Sequence, residues 1–272
     1  MYTASPKPSA APPRKLTAAQ ELEFTMQHSI PLADFFVDDS NKGNGTHYIY
    51  GREDIQQFIK STLPPFLNYK QLSMSQVFLL QALAKHSLTG KHVVIFGSTS
   101  PWYEALVLAR GAAHVTTIEY NTLTYAHDSI TTSTPRDVVI PAGGFDVALS
   151  ISSFDHDGLG RYGDPMDANA DIRAMRVTQC MLKHDGVLFL TIPIGPDVIV
   201  YNLHRRYGRV RLPYMLAGWE VVDVEGWHES ALDADVSYRR TFEPVFVLKN
   251  NPSMWLPANQ PSRSSPPAHE EL

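Results

Sequence analysis

The chain has 272 residues, 43% hydrophobic, 19% charged and 10% aromatic, which is enough apolar material for a real core and excludes wholesale disorder, collagen or a coiled coil. Its single cysteine, Cys180, excludes a disulfide framework and a cysteine-built zinc site. A net charge of -5 argues against a whole-surface grip on nucleic acid, and no apolar run reaches the ~18 residues that span a membrane.

Residues 1–16 are rich in Pro, Ala and Ser and read as a disordered tail. Lys7, Arg14 and Lys15 without acid would suit an organellar transit peptide, but Pro6, Pro8, Pro12 and Pro13 oppose the amphipathic helix it needs, and a cytoplasmic chain is expected. Residues 17–88 read as a helical and irregular extension packed on the core. Ile55, Phe58 and Ile59 recur at helical spacing until Pro64 and Pro65, and Val77, Leu80, Leu83 and Ala84 repeat the pattern before Gly90.

From residue 89 to 250 short apolar runs alternate with helical patterns. The runs lie at 92–96, 114–119, 145–151, 186–193, 219–225 and 244–249, and they have the look of strands buried on both faces. The alternation predicts an α/β domain with a mostly parallel sheet and helices in the crossovers. In one crossover Ser100 can cap a helix over 101–110, with Pro101 at its first position, Glu104 in its first turn and Gly111 past its end. A second amphipathic helix is expected over 169–183, followed by a turn at Asp185 and Gly186. Residues 251–272, rich in Pro and Ser, read as another disordered tail.

Ligands of such sheets bind beyond the carboxyl ends of the strands, and four strand ends carry suitable residues. Gly97 opens a turn through Ser98, Thr99 and Ser100 into a helix start, where unpaired amides can meet a ligand; a plain hydroxyl-capped turn is the alternative. Glu119 ends the next strand, 22 residues on, where a carboxylate can accept both hydroxyls of a ribose; alone it would be a solvated strand-end acid. The loop after residue 151 gathers Asp155, His156, Asp157, Arg161, Tyr162 and Asp164. His156 suits a general base oriented by Asp155 or Asp157; the alternative is a loop that folds on internal ion pairs such as Arg161 with Asp164. Sequential acids seldom point at one ion, so no metal is expected. A fourth segment, 201–211, holds His204, Arg205, Arg206, Arg209 and Arg211, which could grip an anion or bridge to the acidic loop. The patterns of P-loop, nucleophile-elbow, short-chain dehydrogenase and zincin sites are missing.

The order VVIFGSTSPWYEALVLARGA, VTTIEYN, FDVALSISSFDH, LKHDGVLFLTIP resembles the motif series of class I S-adenosylmethionine-dependent methyltransferases. GSTSPWYEALVLARGAAHVTTIEYN, SSFDHDGLGRYGDP and HRRYGRVRLP resemble more closely the methyltransferase-like family catalogued as domain of unknown function 268. The resemblance implies a seven-stranded Rossmann-like sheet with its last strand reversed. It implies S-adenosylmethionine contacts at Gly97, Ser98 and Glu119, with Ser152 and Ser153 beside the methionine part. The leading expectation is a methyltransferase acting on an anionic or polyhydroxylated small molecule or glycan, held by Arg161, Tyr162, His204, Arg205 and Arg206, with His156 and Asp155 catalytic. Neither nucleic acid nor membrane is an expected partner. A nucleotide-sugar enzyme on the same fold and a non-catalytic binding protein are the alternatives.

Overall fold

A computed structural model of the chain describes residues 11–234, 237 and 241–254. The disorder expected of 1–10 and 255–272 lies outside the described residues. Residues 11–16 overturn their part of that expectation. Pro12 is buried, Pro13 accepts a hydrogen bond from the Tyr201 hydroxyl, and the Arg14 guanidinium lies 5.0 Å over the Phe36 ring. A proline-rich segment loses little entropy on ordering, so a few contacts suffice to seat it.

The extension comprises α1 (Ala18–Phe24), β1 (Leu32–Asp34), β2 (His47–Tyr50), α2 (Arg52–Thr62) and α3 (Met74–Ala84). Capping boxes at Thr17 and Ser73 start α1 and α3. The main domain runs β3 (His92–Phe96), α4 (Trp102–Ala109), β4 (His114–Ile118), β5 (Thr122–Tyr125), β6 (Ile130–Ser133), β7 (Phe145–Ile151), α5 (Ala170–Met181), β8 (Leu182–Thr191), β9 (Val198–Tyr201), β10 (His204–Arg206), α6 (Leu212–Leu216), β11 (Glu220–Glu225) and β12 (Val245–Lys249).

Seven strands form one sheet in the order β11-β12-β8-β7-β3-β4-β6, all parallel except β12, which runs against both neighbours. That is a Rossmann-like, mostly parallel sheet of seven strands with its last strand reversed, as the sequence predicts. The central strands are sealed on both faces: Val93, Val94, Ala148, Leu149, Leu188 and Phe189 are fully buried, which is why each reads as an unbroken apolar run. Gly144 introduces β7 in the left-handed region (φ 100°), and a Cβ there would meet the Met181 carbonyl oxygen at 2.8 Å.

The crossovers differ from expectation in two places. Between β4 and β6 the chain forms β5 instead of a helix, and β5 pairs in parallel with β2 of the extension. The link is too short for a helix with its two turns, and its Thr- and Tyr-rich sequence favours extended backbone. Residues 134–144, between β6 and β7, hold no helix either. The segment around His204 to Arg206, read as a loop, is strand β10; it pairs with β9, and β9 pairs with β1. The helix after Gly97 starts at Trp102 and lacks the expected Ser100 side-chain cap. Among the described residues no helix is long and apolar enough to cross a membrane.

Candidate functional site

A cavity of about 150 Å³ opens at the carboxyl ends of β3, β4, β6 and β7. Its wall includes Gly97 and Thr99 after β3, Glu119 and Tyr120 after β4, Pro135 after β6, and Ser152, Ser153, Phe154, His156 and Asp157 after β7. Tyr48 from the extension and Tyr162 and Asp164 from the long loop complete it. Three of the four predicted strand ends therefore meet at one place. The fourth does not.

Gly97 sits in the left-handed region, with φ 70°. Its missing side chain makes room for Ser153. Ser98 lies beneath the cavity wall. Its hydroxyl is 2.9 Å from the Ser100 carbonyl oxygen and 3.1 Å from Glu104 Oε2. Thr117 donates to Glu104 Oε1 at 2.7 Å, and Tyr125 donates its hydroxyl to the Ser98 carbonyl oxygen at 2.9 Å. Glu104 is fully buried, and burial pushes its carboxyl up to about 7 against the pull of the hydroxyls. A protonated Glu104 can donate to Ser98 Oγ, which then donates to Ser100; this chain locks the turn from below.

Glu119 is only 7% exposed, and its Oε1 accepts from the backbone and side-chain amides of Asn121, both at 3.0 Å. Asn121 Oδ1 in turn accepts from the Thr46 amide at 2.8 Å, so the extension helps aim this carboxyl. Burial raises the Glu119 carboxyl above its ordinary range.

Ser152 adopts φ 49°, unusual for a residue with a side chain, and its amide donates to the Thr191 carbonyl and hydroxyl oxygens. Such strain survives only where the surroundings enforce it. Ser152 Oγ lies 3.4 Å from Glu243 Oε1, and burial brings that carboxyl up to about 7 as well.

His156 and Asp155 come together, as expected, but in a different order of roles. His156 Nδ1 donates to the Leu203 carbonyl oxygen, so a backbone carbonyl orients the ring. Nε2 faces Asp155 Oδ2 at 3.5 Å, and Asp155 is fully buried beneath it. Burial lowers the imidazole to about 4 and raises the Asp155 carboxyl to about 7. Burial leaves the ring a weak base, and both nitrogens are turned to protein groups, which does not suit the base role expected of it.

The arginines correct the expected substrate grip. Arg205 is fully buried; it donates to the carbonyl oxygens of Asp155, Asp157, Asp167 and Ala168 and lies 3.6 Å from Asp171. Arg211 donates to both Asp171 oxygens, at 2.9 and 2.6 Å, and Tyr207 adds its hydroxyl at 2.9 Å. Burial pushes the Asp171 carboxyl up, but Arg205 and Arg211 pull harder and hold it below its ordinary value. Arg206 and His204 are buried on β10, and Arg206 donates to the Pro196 carbonyl oxygen. Arg161 pairs with Asp39 at 2.7 Å, not with Asp164, and its guanidinium lies over Tyr162. None of these cations lines the cavity. Their density in the sequence reflects a bracing network that ties β10 and α5 to the acidic loop.

Tyr48 and Tyr120 are among the cavity residues that escape a reading of the sequence. Tyr120 and Pro135 could be found as the residues that follow strand ends. Asp157 and Asp164 are named with the other acids of their loop, and the fold singles them out as the two that reach the cavity wall. Asp164 accepts from the amides of Gly160 and Tyr162, so it shapes its own loop.

Residues 90–243 match the model of the family described as "Caenorhabditis protein of unknown function, DUF268". No curated protein matches the chain. Among solved structures, the chain is similar to an S-adenosylmethionine dependent methyltransferase from Mesorhizobium loti (14% identity, TM-score 0.42, 63% of this chain and 97% of that one). It is similar to an S-adenosylmethionine-dependent methyltransferase from Clostridium acetobutylicum (10% identity, TM-score 0.44, 73% and 98%). It is also similar to the [4+2]-cyclase SpnF (20% identity, TM-score 0.39, 58% and 64%).

Proposed function

The chain belongs to the DUF268 family, and from that premise and the geometry of the cavity we propose that it binds S-adenosylmethionine and transfers the methyl group to a small polar acceptor. One observation supports this above the rest. Glu119, at the end of the strand next to the Gly97 turn, presents a largely desolvated carboxyl in the wall of the same cavity. Two adjacent ribose hydroxyls match two carboxylate oxygens. Tyr120 and Pro135 offer apolar surface beside it for a purine, and Thr99, Ser152 and Ser153 line the wall with Gly97.

The donor set also suits the charge of the group. A sulfonium is a cation, and the wall contains carboxyls but no Lys or Arg. Bound there, S-adenosylmethionine would supply an electrophilic methyl. The protein's part is to hold the ribose at Glu119, keep water out with Phe96, Phe154 and Tyr162, and place the acceptor in line.

The same charge disfavours a nucleotide-sugar ligand, whose diphosphate would face Glu119, Asp157 and Asp164 without a counter-ion. It disfavours an anionic acceptor for the same reason and leaves a hydroxyl-bearing, uncharged or cationic one. A thermal-shift screen separates these readings. Stabilisation by S-adenosylmethionine and S-adenosylhomocysteine, with none by sugar nucleotides, is the expected result. Stabilisation by sugar nucleotides alone would replace the proposal.

A further inference from the structure

The cavity's charge is unbalanced in a way that the nucleoside does not resolve. Glu119, Asp157 and Asp164 line it, and its one imidazole, His156, is kept neutral. The arginines around it are bound elsewhere: Arg161 to Asp39, Arg205 and Arg211 to Asp171. Two of the three carboxyls already have protein partners, Asn121 for Glu119 and two loop amides for Asp164. Asp157 differs. Among the described residues its carboxyl makes no hydrogen bond and no ion pair, although it lies in the wall of a cavity. Burial, and then the neighbouring Asp164, push it well above the usual carboxylate range against the pull of Arg205, whose guanidinium is bonded to the Asp157 carbonyl oxygen and not to its carboxyl. A half-buried carboxyl left without a partner is costly, and a ligand cation would reduce that cost.

We infer that this site binds an organic amine whose ammonium group pairs with the Asp157 carboxylate. The inference rests on the methyl-transfer reading only for the amine's source, which is either the acceptor molecule or the amino-acid end of the cofactor. The chemistry is the same in both. An ammonium donates to Asp157, lies near the second carboxyl of Asp164, and meets the aromatic wall of Tyr162 and Phe154, a surface that favours cations. Burial and Asp164 shift Asp157 toward its protonated form and an ammonium shifts it back, so pairing with an ammonium favours release of a proton. Amine binding therefore carries a proton count that diol or nucleoside-only binding lacks.

The test is calorimetry on the full chain and on Asp157→Asn, in two buffers of different ionisation enthalpy. The probes are putrescine, 1,4-butanediol, succinate, S-adenosylhomocysteine and 5′-methylthioadenosine, the last lacking the amino-acid end. If the acceptor is the amine, putrescine binds the parent with proton release, the diol and diacid do not bind, and Asp157→Asn weakens putrescine at least about tenfold while leaving S-adenosylhomocysteine unchanged. If the cofactor's own amine is the ligand, Asp157→Asn weakens S-adenosylhomocysteine by a similar factor and leaves 5′-methylthioadenosine unchanged. Either result supports an ammonium at Asp157. Succinate binding better than putrescine overturns it, as does an Asp157→Asn chain that binds both amine ligands as tightly as the parent. A parent chain that binds neither nucleoside sinks the methyl-transfer reading, and the putrescine arm still decides this one.

Discussion

Gly97 and Ser153 share one volume: a methyl group added to Gly97 would lie 2.1 Å from Ser153 Oγ and 2.7 Å from Ser153 Cβ. The turn after β3 and the loop after β7 are thereby pressed together across the floor of the cavity. The glycine serves the packing of the protein's own loops as well as the approach of a ligand. Gly97→Ala must both hold a left-handed backbone and displace that serine. It is expected to lower the unfolding free energy by about 2–4 kcal/mol in a denaturant titration. Adding Ser153→Gly should return the steric share and leave the backbone share, about 1 kcal/mol, unrecovered.

Glu104 should make stability depend on pH in a predictable direction. Its folded carboxyl titrates near 7 against an ordinary 4.5. Between those values the unfolded chain has lost the proton and the folded chain keeps it. Stability from this group is complete below about 4.5 and falls as pH rises to about 7. Glu104→Gln copies the neutral form. Its unfolding free energy should match the parent's at pH 4 and exceed it at pH 8, by a margin on the order of 3 kcal/mol. His156 acts in the opposite sense between about 4 and 6.5, so the difference between variant and parent isolates Glu104.

Much of this architecture is legible in the sequence because strands sealed on both faces must be apolar throughout. HVVIF, FDVALSI and PVFVLK could hardly be anything else. Gly97 and Glu119 are legible as a pair because a short crossover sets their separation. The pairing of β2 with β5 is not, since HYIY and TLTY are brought together across more than seventy residues. Arg205 misleads for a physical reason: a guanidinium reads the same whether it grips a ligand or braces a buried aspartate. Only burial, set by β10 pairing with β9, distinguishes the two.

That bracing should show as stability, not affinity. Asp171→Asn leaves Arg205 and Arg211 without their shared counter-charge in a sealed interior. A loss of about 3–5 kcal/mol is expected from urea unfolding at pH 7. Arg206→Ala, at a side chain that does not line the cavity, should leave the affinity for S-adenosylhomocysteine within about threefold of the parent.

His156 is expected to position the loop, not to carry the proton. His156→Asn retains a donor that can reach the Leu203 carbonyl oxygen, so nucleoside affinity should stay within about threefold. His156→Ala removes that donor and opens a gap beside the buried Asp155; about 1–3 kcal/mol of stability should go with it. Paired unfolding and binding titrations on both variants check this.

Glu119 carries the central claim. Isothermal titration of S-adenosylhomocysteine into the parent chain and into Glu119→Ala measures it directly. The parent should bind, and the variant, still folded, should bind at least about tenfold more weakly, as two charge-assisted hydrogen bonds to the ribose are lost. Equal affinity in both chains, or no heat in the parent, would contradict a ribose held at the end of β4.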